Sequence, residues 1–96
     1  MTAQLQYTAA GDGHVVLLGD EVVLIGRARD CDLRFRDDAT MSAHHARIVR
    51  ENERHWVETL DGSDEMLVNG TATQRHHLRH RDRVQCGKTV FEYFDE

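Results

Sequence analysis

Short runs of β-branched and aromatic residues, separated about every ten residues by turn-forming residues, extend through the whole sequence. Strands joined by tight turns in a sandwich or barrel have this spacing. No segment keeps the period of a helix over several turns, and the chain contains no Pro. The sequence therefore predicts an all-β fold.

Turn dipeptides between apolar runs predict which strands pair as hairpins, because Gly and Asn adopt the positive φ of a tight turn. The predicted hairpins and turns are His14–Leu18 with Val22–Ile25 through Gly19-Asp20, Ala46–Val49 with Trp56–Glu58 through Glu51–Glu53, a turn at Asn69-Gly70, and Arg83–Cys86 with Val90–Phe94 through Gly87-Lys88. Three polar segments are predicted to be loops: Arg27–Asp32, Arg36–Met41 and Asp61–Met66.

The length of 96 residues indicates one domain spanning residues 1–96. The formal charge of −5, from 17 acidic and 12 basic residues, argues against non-specific binding to nucleic acid. The two cysteines form no disulfide framework and have no metal-binding spacing. No apolar run approaches the roughly 18 residues of a membrane span, and the N-terminal segment lacks the features of a signal peptide. We therefore expect a cytoplasmic protein with no membrane contact.

Polar residues at the ends of two predicted strands indicate a site for an anion. Gly26 allows a sharp exit from an apolar strand, and Arg27 then presents its planar fork of donors at the rim. Ser42 opens the next strong strand and offers a hydroxyl and its own backbone N–H. Such groups on neighbouring loops form a phosphate pocket without a metal or a helix.

The same residues also have structural interpretations. Arg27 would pair with a nearby carboxylate, and Ser42 would hydrogen-bond its local turn. The carboxylates available to Arg27 in this interpretation are Asp30, Asp32 and Asp37. The further arginines Arg29, Arg34 and Arg36 are expected to be solvated, although one of them would be placed to contact acidic positions of a partner.

Neither hydrolysis nor metal binding fits the other polar residues. Ser42 with His44 or His45 and a nearby Asp superficially resembles a hydrolase triad, but no strained nucleophile turn carries the serine. His76 and His77 lie side by side, yet successive strand residues point to opposite faces, and no Cys or Asp completes a ligand spacing there. We therefore expect no enzymatic activity, no metal site and no cofactor.

An ordered set of short motifs covers most of the chain. In order, these are Gly26-Arg27, Ser42-x-x-His45-Ala46, Trp56-Val57-Glu58, Val68-Asn69-Gly70, Leu78, Asp82-Arg83-Val84 and Gly87. In order and spacing the set resembles a forkhead-associated (FHA) domain over roughly residues 14 to 95. The resemblance implies an eleven-stranded β-sandwich of two sheets that binds phosphothreonine peptides through loops at one end.

The resemblance also implies roles for individual residues. Arg27 matches the arginine that contacts the phosphate, and Ser42 matches the serine that hydrogen-bonds it. Gly26 matches the glycine that makes room for the loop. His45 matches a histidine that braces the binding loops from behind.

Several positions depart from the family pattern. Ala43 stands where a polar donor is usual and offers only its backbone. Ser63 still provides a hydroxyl, but Asp64 replaces an asparagine that bonds the peptide backbone, and Glu65 replaces a glycine. A carboxylate about 6 Å from a phosphate costs roughly 0.7–3 kcal/mol per unit charge, which is comparable to the gain from one charge-assisted hydrogen bond.

The expected function is phosphothreonine-dependent protein interaction in Ser/Thr kinase signalling, with a phosphorylated protein or peptide as the partner and no nucleic acid or membrane. The expected phosphopeptide-binding residues are Arg27, Ser42, Ala43, Ser63 and Asp64, with Gly26 and His45 in support. The alternative is a degenerate FHA fold that acts as a phosphate-independent interaction or assembly scaffold.

Overall fold

The computed structural model describes residues 3–9, 11–60 and 65–95, which form eleven strands and no helix. In chain order the strands are β1 (Ala3–Ala9), β2 (Asp12–Leu18), β3 (Val23–Gly26), β4 (Leu33–Arg34), β5 (Ala46–Glu51), β6 (Arg54–Thr59), β7 (Met66–Val68), β8 (Thr71–Ala72), β9 (Arg75–His77), β10 (Arg83–Cys86) and β11 (Thr89–Phe94). Within these ranges no helix is long and apolar enough to cross a membrane.

The strands form two sheets that pack face to face. The six-stranded sheet has the order β2-β1-β11-β10-β7-β8, and the five-stranded sheet has the order β4-β3-β5-β6-β9. Inward side chains at alternate positions of both sheets, such as Leu5, Ile25, Val57 and Phe91, are almost completely buried. The architecture confirms the predicted all-β sandwich of eleven strands in two sheets.

Three of the predicted turns are present, and residues with positive φ make them tight. Asn52 and Glu53 have φ of 53° and 64° between β5 and β6, and Asn69 and Gly70 have φ of 51° and 86° between β7 and β8. Gly87, with φ of 61°, lies between β10 and β11. The sequence predicts these turns because Asn52, Asn69, Gly70 and Gly87 tolerate a conformation that most side chains disfavour.

The hairpin predicted at Gly19-Asp20 is wrong. β2 pairs antiparallel with β1 in the six-stranded sheet, whereas β3 lies in the five-stranded sheet, so the segment between them crosses from one sheet to the other. The sequence analysis missed β1, whose residues Ala3 and Leu5 face the core while Gln6 is exposed. β2 was expected to pair with β3, but it pairs with β1 instead.

The predicted loops Arg27–Asp32 and Arg36–Met41 contain no strand. In the segment Asp61–Met66, residues 61–64 lie outside the described part of the chain, and Met66 is the first residue of β7, so its assignment to a loop was wrong. Met66 is fully buried in the core, which explains why it belongs to a strand.

The loop after β4 is anchored to the core at its start. The Phe35 ring contacts Tyr7 and Phe91 edge-to-face, with centroid distances of 5.2 and 5.5 Å. Such aromatic pairs contribute about 0.5–1.5 kcal/mol beyond the area that they bury. Phe35 therefore fixes where the polar residues of the loop emerge.

Asp38 anchors the same loop to the last hairpin. Its carboxylate accepts hydrogen bonds from the Lys88 N–H at 2.8 Å, the Thr89 hydroxyl at 3.0 Å and the Thr40 hydroxyl at 2.5 Å. Burial alone would raise the pKa of Asp38, but the hydrogen bonds outweigh it and lower the pKa from 3.8 to about 2. The ionised carboxylate therefore joins residues that are distant in the sequence.

We expect Asp38→Asn to lower the free energy of unfolding near neutral pH by about 1–2 kcal/mol, because charge-assisted hydrogen bonds are lost from a partly solvated site. The folded-state pKa is depressed, so this contribution is present above the unfolded value of 3.8 and disappears as the pH falls through about 2. Urea denaturation at several pH values measures the difference between the two proteins. Asp37→Asn is the control on the same loop, and an equal loss in both variants would contradict the assignment.

Candidate functional site

Backbone hydrogen bonds place the loop after β3 beside the loop before β5. The Arg27 N–H donates to the Ser42 carbonyl, and the Ala28 N–H donates to the Ala43 carbonyl, both at 3.0 Å. The His45 N–H donates to the Ile25 carbonyl at 2.9 Å. These three bonds form a backbone ladder that joins the end of β3 and the loop after it to the loop before β5, and they hold the Arg27 backbone next to that of Ser42.

Gly26 permits this close approach. It is buried, and a Cβ atom at this position would lie 2.2 Å from the Ala43 carbonyl oxygen and 2.8 Å from its carbonyl carbon. Both are backbone atoms, so they are not moved aside as the end of a flexible side chain would be. The glycine is therefore required by the packing of one loop against the other.

Arg27 is exposed, and its guanidinium forms no ion pair with any residue in the described ranges. Two of the three acids considered as partners have other contacts: Asp30 is 2.8 Å from His44 Nε2, and Asp32 accepts a hydrogen bond from the Leu24 N–H at 2.8 Å. The Arg34 Nε–H donates to the Arg27 carbonyl at 3.0 Å and holds the backbone from which the guanidinium projects. The donors of Arg27 thus face solvent at the rim.

Ser42 is half-buried, and its backbone N–H donates to His45 Nδ1 at 3.1 Å. The expectation that this N–H is offered to an anion is wrong, because the histidine ring occupies it. The Ser42 hydroxyl forms no hydrogen bond with a residue that the structure describes. Ala43 is exposed, and its carbonyl accepts from the Ala28 N–H and, at 3.3 Å, from the Cys31 thiol.

His45 connects two loops from inside the molecule. Its side chain is 2% exposed, Nδ1 accepts from Ser42, and Nε2 lies 2.9 Å from the Glu65 carbonyl oxygen. The two partners together require the neutral tautomer with its proton on Nε2. His45 therefore joins the loop before β5 to the segment that enters β7.

Two of the candidate binding residues lie outside the part of the chain that the structure describes. These are Ser63 and Asp64, both proposed as peptide contacts. The Glu65 side chain is exposed at the start of β7, next to the carbonyl that His45 holds. In the described part, the structure brings together Gly26, Arg27, Ser42, Ala43 and His45.

The histidines considered for metal binding point apart as predicted. His76 lies 2.8 Å from the Asp82 carboxylate, whereas the His77 ring packs on Trp56 with a centroid distance of 5.1 Å. Asp82 also accepts hydrogen bonds from the Asn69 side chain and the Arg79 N–H, which fixes the Asn69-Gly70 turn to the start of β10, the neighbour of β7 in the sheet. These residues have structural partners.

Sequence reasoning missed the contact between Asp30 and His44. Burial is minor at this exposed pair, and the hydrogen bond from His44 lowers the pKa of Asp30. Nothing in the sequence spacing indicates the contact, because it depends on the backbone ladder between the two loops. The neighbouring Cys31 is buried and also belongs to this group of residues.

Gly26→Ala is expected to lower the free energy of unfolding by about 1–3 kcal/mol, because the added methyl group meets immobile backbone atoms. Thermal or urea denaturation measures the loss. Gly19→Ala is the matched control, since a Cβ there has no heavy atom within 4 Å. Equal stability of the two variants would contradict the steric explanation.

Solved structures share the fold along the whole chain. A domain from a study of phosphothreonine-dependent FHA domain interactions is 22% identical with a TM-score of 0.88, covering 100% of this chain and 98% of that one. The FHA domain of CT664 from Chlamydia trachomatis is 22% identical with a TM-score of 0.87, covering 100% and 99%. EmbR of Mycobacterium tuberculosis, in complex with a low-affinity phosphopeptide, is 26% identical with a TM-score of 0.79, covering 97% of this chain and 24% of that one.

At the level of sequence, no curated protein matches the chain significantly. The family model of the FHA domain matches residues 23–87, from the start of β3 to the last tight turn. The matched segment contains Gly26, Arg27, Ser42 and His45 and spans more than half of the chain. The motifs, the two-sheet topology and this match agree, and the chain therefore belongs to the FHA domain family.

Proposed function

We propose that this FHA domain binds proteins that carry phosphothreonine. The phosphate would be held by the Arg27 guanidinium and the Ser42 hydroxyl, with Ala43 contributing its backbone and Ser63 and Asp64 contacting the peptide. The observation that carries the proposal is the solvent-facing Arg27 side chain, fixed opposite Ser42 by a backbone hydrogen bond of 3.0 Å. Family membership supports it, as does the phosphopeptide complex of EmbR.

Binding at this site would be electrostatic capture followed by hydrogen bonding, with no chemical step. Phosphothreonine carries about −1.5 to −2 charges near neutral pH, and each charge-assisted hydrogen bond contributes about 1.5–3 kcal/mol. The loops are fixed before the ligand arrives, because Gly26, His45 and the backbone ladder hold them. Little ordering free energy then opposes binding.

Gly26 and His45 would act as positioning residues in this site. Gly26 allows the two loops to meet, and His45 holds both the Ser42 backbone and the Glu65 carbonyl. Neither residue offers a free donor to the ligand: Gly26 has no side chain, and His45 is buried with both ring nitrogens in contact. Their loss would change the geometry of the site rather than remove a phosphate contact.

The partner would be a protein phosphorylated by a Ser/Thr kinase in the same compartment. We place the domain in the cytoplasm, where cysteines stay reduced, and both of its cysteines are buried thiols. Among its surface arginines, Arg29 and Arg36 are exposed close to Arg27 in the chain and would favour acidic residues near the phosphothreonine. The proposed role is recognition, without enzymatic activity.

A phosphate-independent scaffold is the second candidate. Ala43 provides no side-chain donor, Glu65 exposes a carboxylate near the site, and the Ser42 N–H is occupied by His45. Each of these reduces the number of donors available to a phosphate or adds repulsion. In this case the loops would bind a protein surface whether or not it is phosphorylated.

A titration with a phosphothreonine peptide library and its unphosphorylated counterpart distinguishes the two candidates. We expect binding of the phosphorylated form, with amide shifts at Arg27, Ser42 and Ser63. Arg27→Ala should weaken binding by about 10- to 150-fold, which corresponds to one charge-assisted hydrogen bond of about 1.5–3 kcal/mol.

Arg54→Ala is the matched control, because Arg54 is exposed beside the turn at the far end of β5 from Ser42. It should leave the affinity within about twofold, since surface substitutions away from a site have small effects. Equal binding of phosphorylated and unphosphorylated peptides, or equal effects of the two arginine variants, would favour the scaffold instead.

A further inference from the structure

Asp30, Cys31 and His44 converge at the junction of the two loops. One carboxylate oxygen, the Cys31 Sγ and one ring nitrogen of His44 all lie within 4.8 Å of one another. They meet because Ala28 pairs with Ala43 through the backbone, which brings residues on either side of these positions together. This group was not apparent from the spacing of the residues in the sequence.

The donor set is that of a zinc site. Zinc accepts thiolate, imidazole and carboxylate ligands in a tetrahedral arrangement, and sites with three protein ligands leave the fourth position for water. In such a site neighbouring ligand atoms lie about 3–4 Å apart, as the bond lengths and tetrahedral angle dictate. The observed separations therefore need adjustments of only about 1 Å.

The present contacts allow that adjustment. His44 Nε2 already lies 2.8 Å from Asp30 Oδ1, and the two side chains are 46% and 68% exposed, so both are able to rotate. Cys31 is 8% exposed, and its thiol donates to the Ala43 carbonyl at 3.3 Å. Two exposed ligands are thus arranged around one buried ligand.

We propose that Asp30, Cys31 and His44 form a zinc-binding site that joins the loop after β3 to the loop before β5. This replaces the expectation of no metal site, which considered sequence spacing alone. On binding, the Cys31 Sγ–H bond breaks, an Sγ–Zn bond forms and the proton leaves to solvent. The proposal does not depend on phosphothreonine binding, because the three ligands are not among the residues assigned to the peptide.

The site has two expected consequences. A cysteine binds zinc as the thiolate, so the metal must displace a proton and binding should strengthen as the pH rises. The ion brings two positive charges and displaces one proton, so the local charge increases by about one unit. The metal also links the two loops that carry Arg27 and Ser42. Its added positive charge would favour binding of an anion beside these two residues.

Cadmium titration of the full chain tests the site, because a cadmium–thiolate bond gives an ultraviolet charge-transfer band that histidine-only sites do not give. We expect the band to reach its full intensity at one cadmium ion per chain and to disappear when zinc displaces the cadmium. Cys31→Ser should not give the band. The only other thiol, Cys86, is completely buried in the core.

The exposed ligands provide an independent arm of the experiment, since their substitution leaves the core intact. Asp30→Asn and His44→Gln should each raise the cadmium Kd at least about tenfold, the lower end of what even an outer-shell change costs. The matched controls Asp37→Asn and His14→Gln, also exposed, should leave it within about twofold. The absence of a band in the unmodified chain, a band that survives in Cys31→Ser, or equal effects of ligand and control variants overturns the proposal.

Discussion

The arrangement of the proposed binding site depends on the ladder of backbone hydrogen bonds that joins the loop after β3 to the loop before β5. Each hydrogen bond of this ladder contributes only about 0.5–1.5 kcal/mol net. Their common effect is geometric, because they set Arg27 opposite Ser42 and Ala28 opposite Ala43. The two loops approach this closely only because residue 26 is a glycine. The backbone of the loop before β5 occupies the space that a side chain at residue 26 would need.

Around this ladder, side chains connect elements that are far apart in the sequence. His45 reaches the entrance of β7, and Asp38 reaches the turn between β10 and β11. Each group is fixed by partners that satisfy its hydrogen-bonding capacity, as buried or partly buried polar groups require. The loops at this end are therefore part of the folded framework, and a ligand meets groups that are already positioned.

The sequence predicted those features that local chemistry determines. Asn69-Gly70 and Gly87 mark turns because few residues tolerate their φ values, and the alternation of Val84 and Cys86 marks a half-buried strand. One feature needed tertiary information. Gly19-Asp20 has the chemistry of a hairpin turn but joins different sheets, since β1 pairs with β2.

The site shows the same division between local and tertiary information. Arg27 and Ser42 were identified from their places at the ends of strands, and the ladder brings them together. The occupation of the Ser42 N–H by His45 was not foreseen, because it depends on the orientation of a buried ring. The convergence of Asp30, Cys31 and His44 likewise arises from loop geometry, which sequence spacing does not encode.

The pairing of β1 with β11 has a consequence for the order in which the molecule assembles. Leu5 lies opposite Tyr93, so the first strand borders the last one. During synthesis β1 leaves the ribosome well before β11, its permanent neighbour on that side, because nine other strands lie between them in the sequence. Until then one side of β1 is an open template for other strands. Closure of the six-stranded sheet is thus a late, long-range event, of the kind that makes β-sandwiches slow to fold.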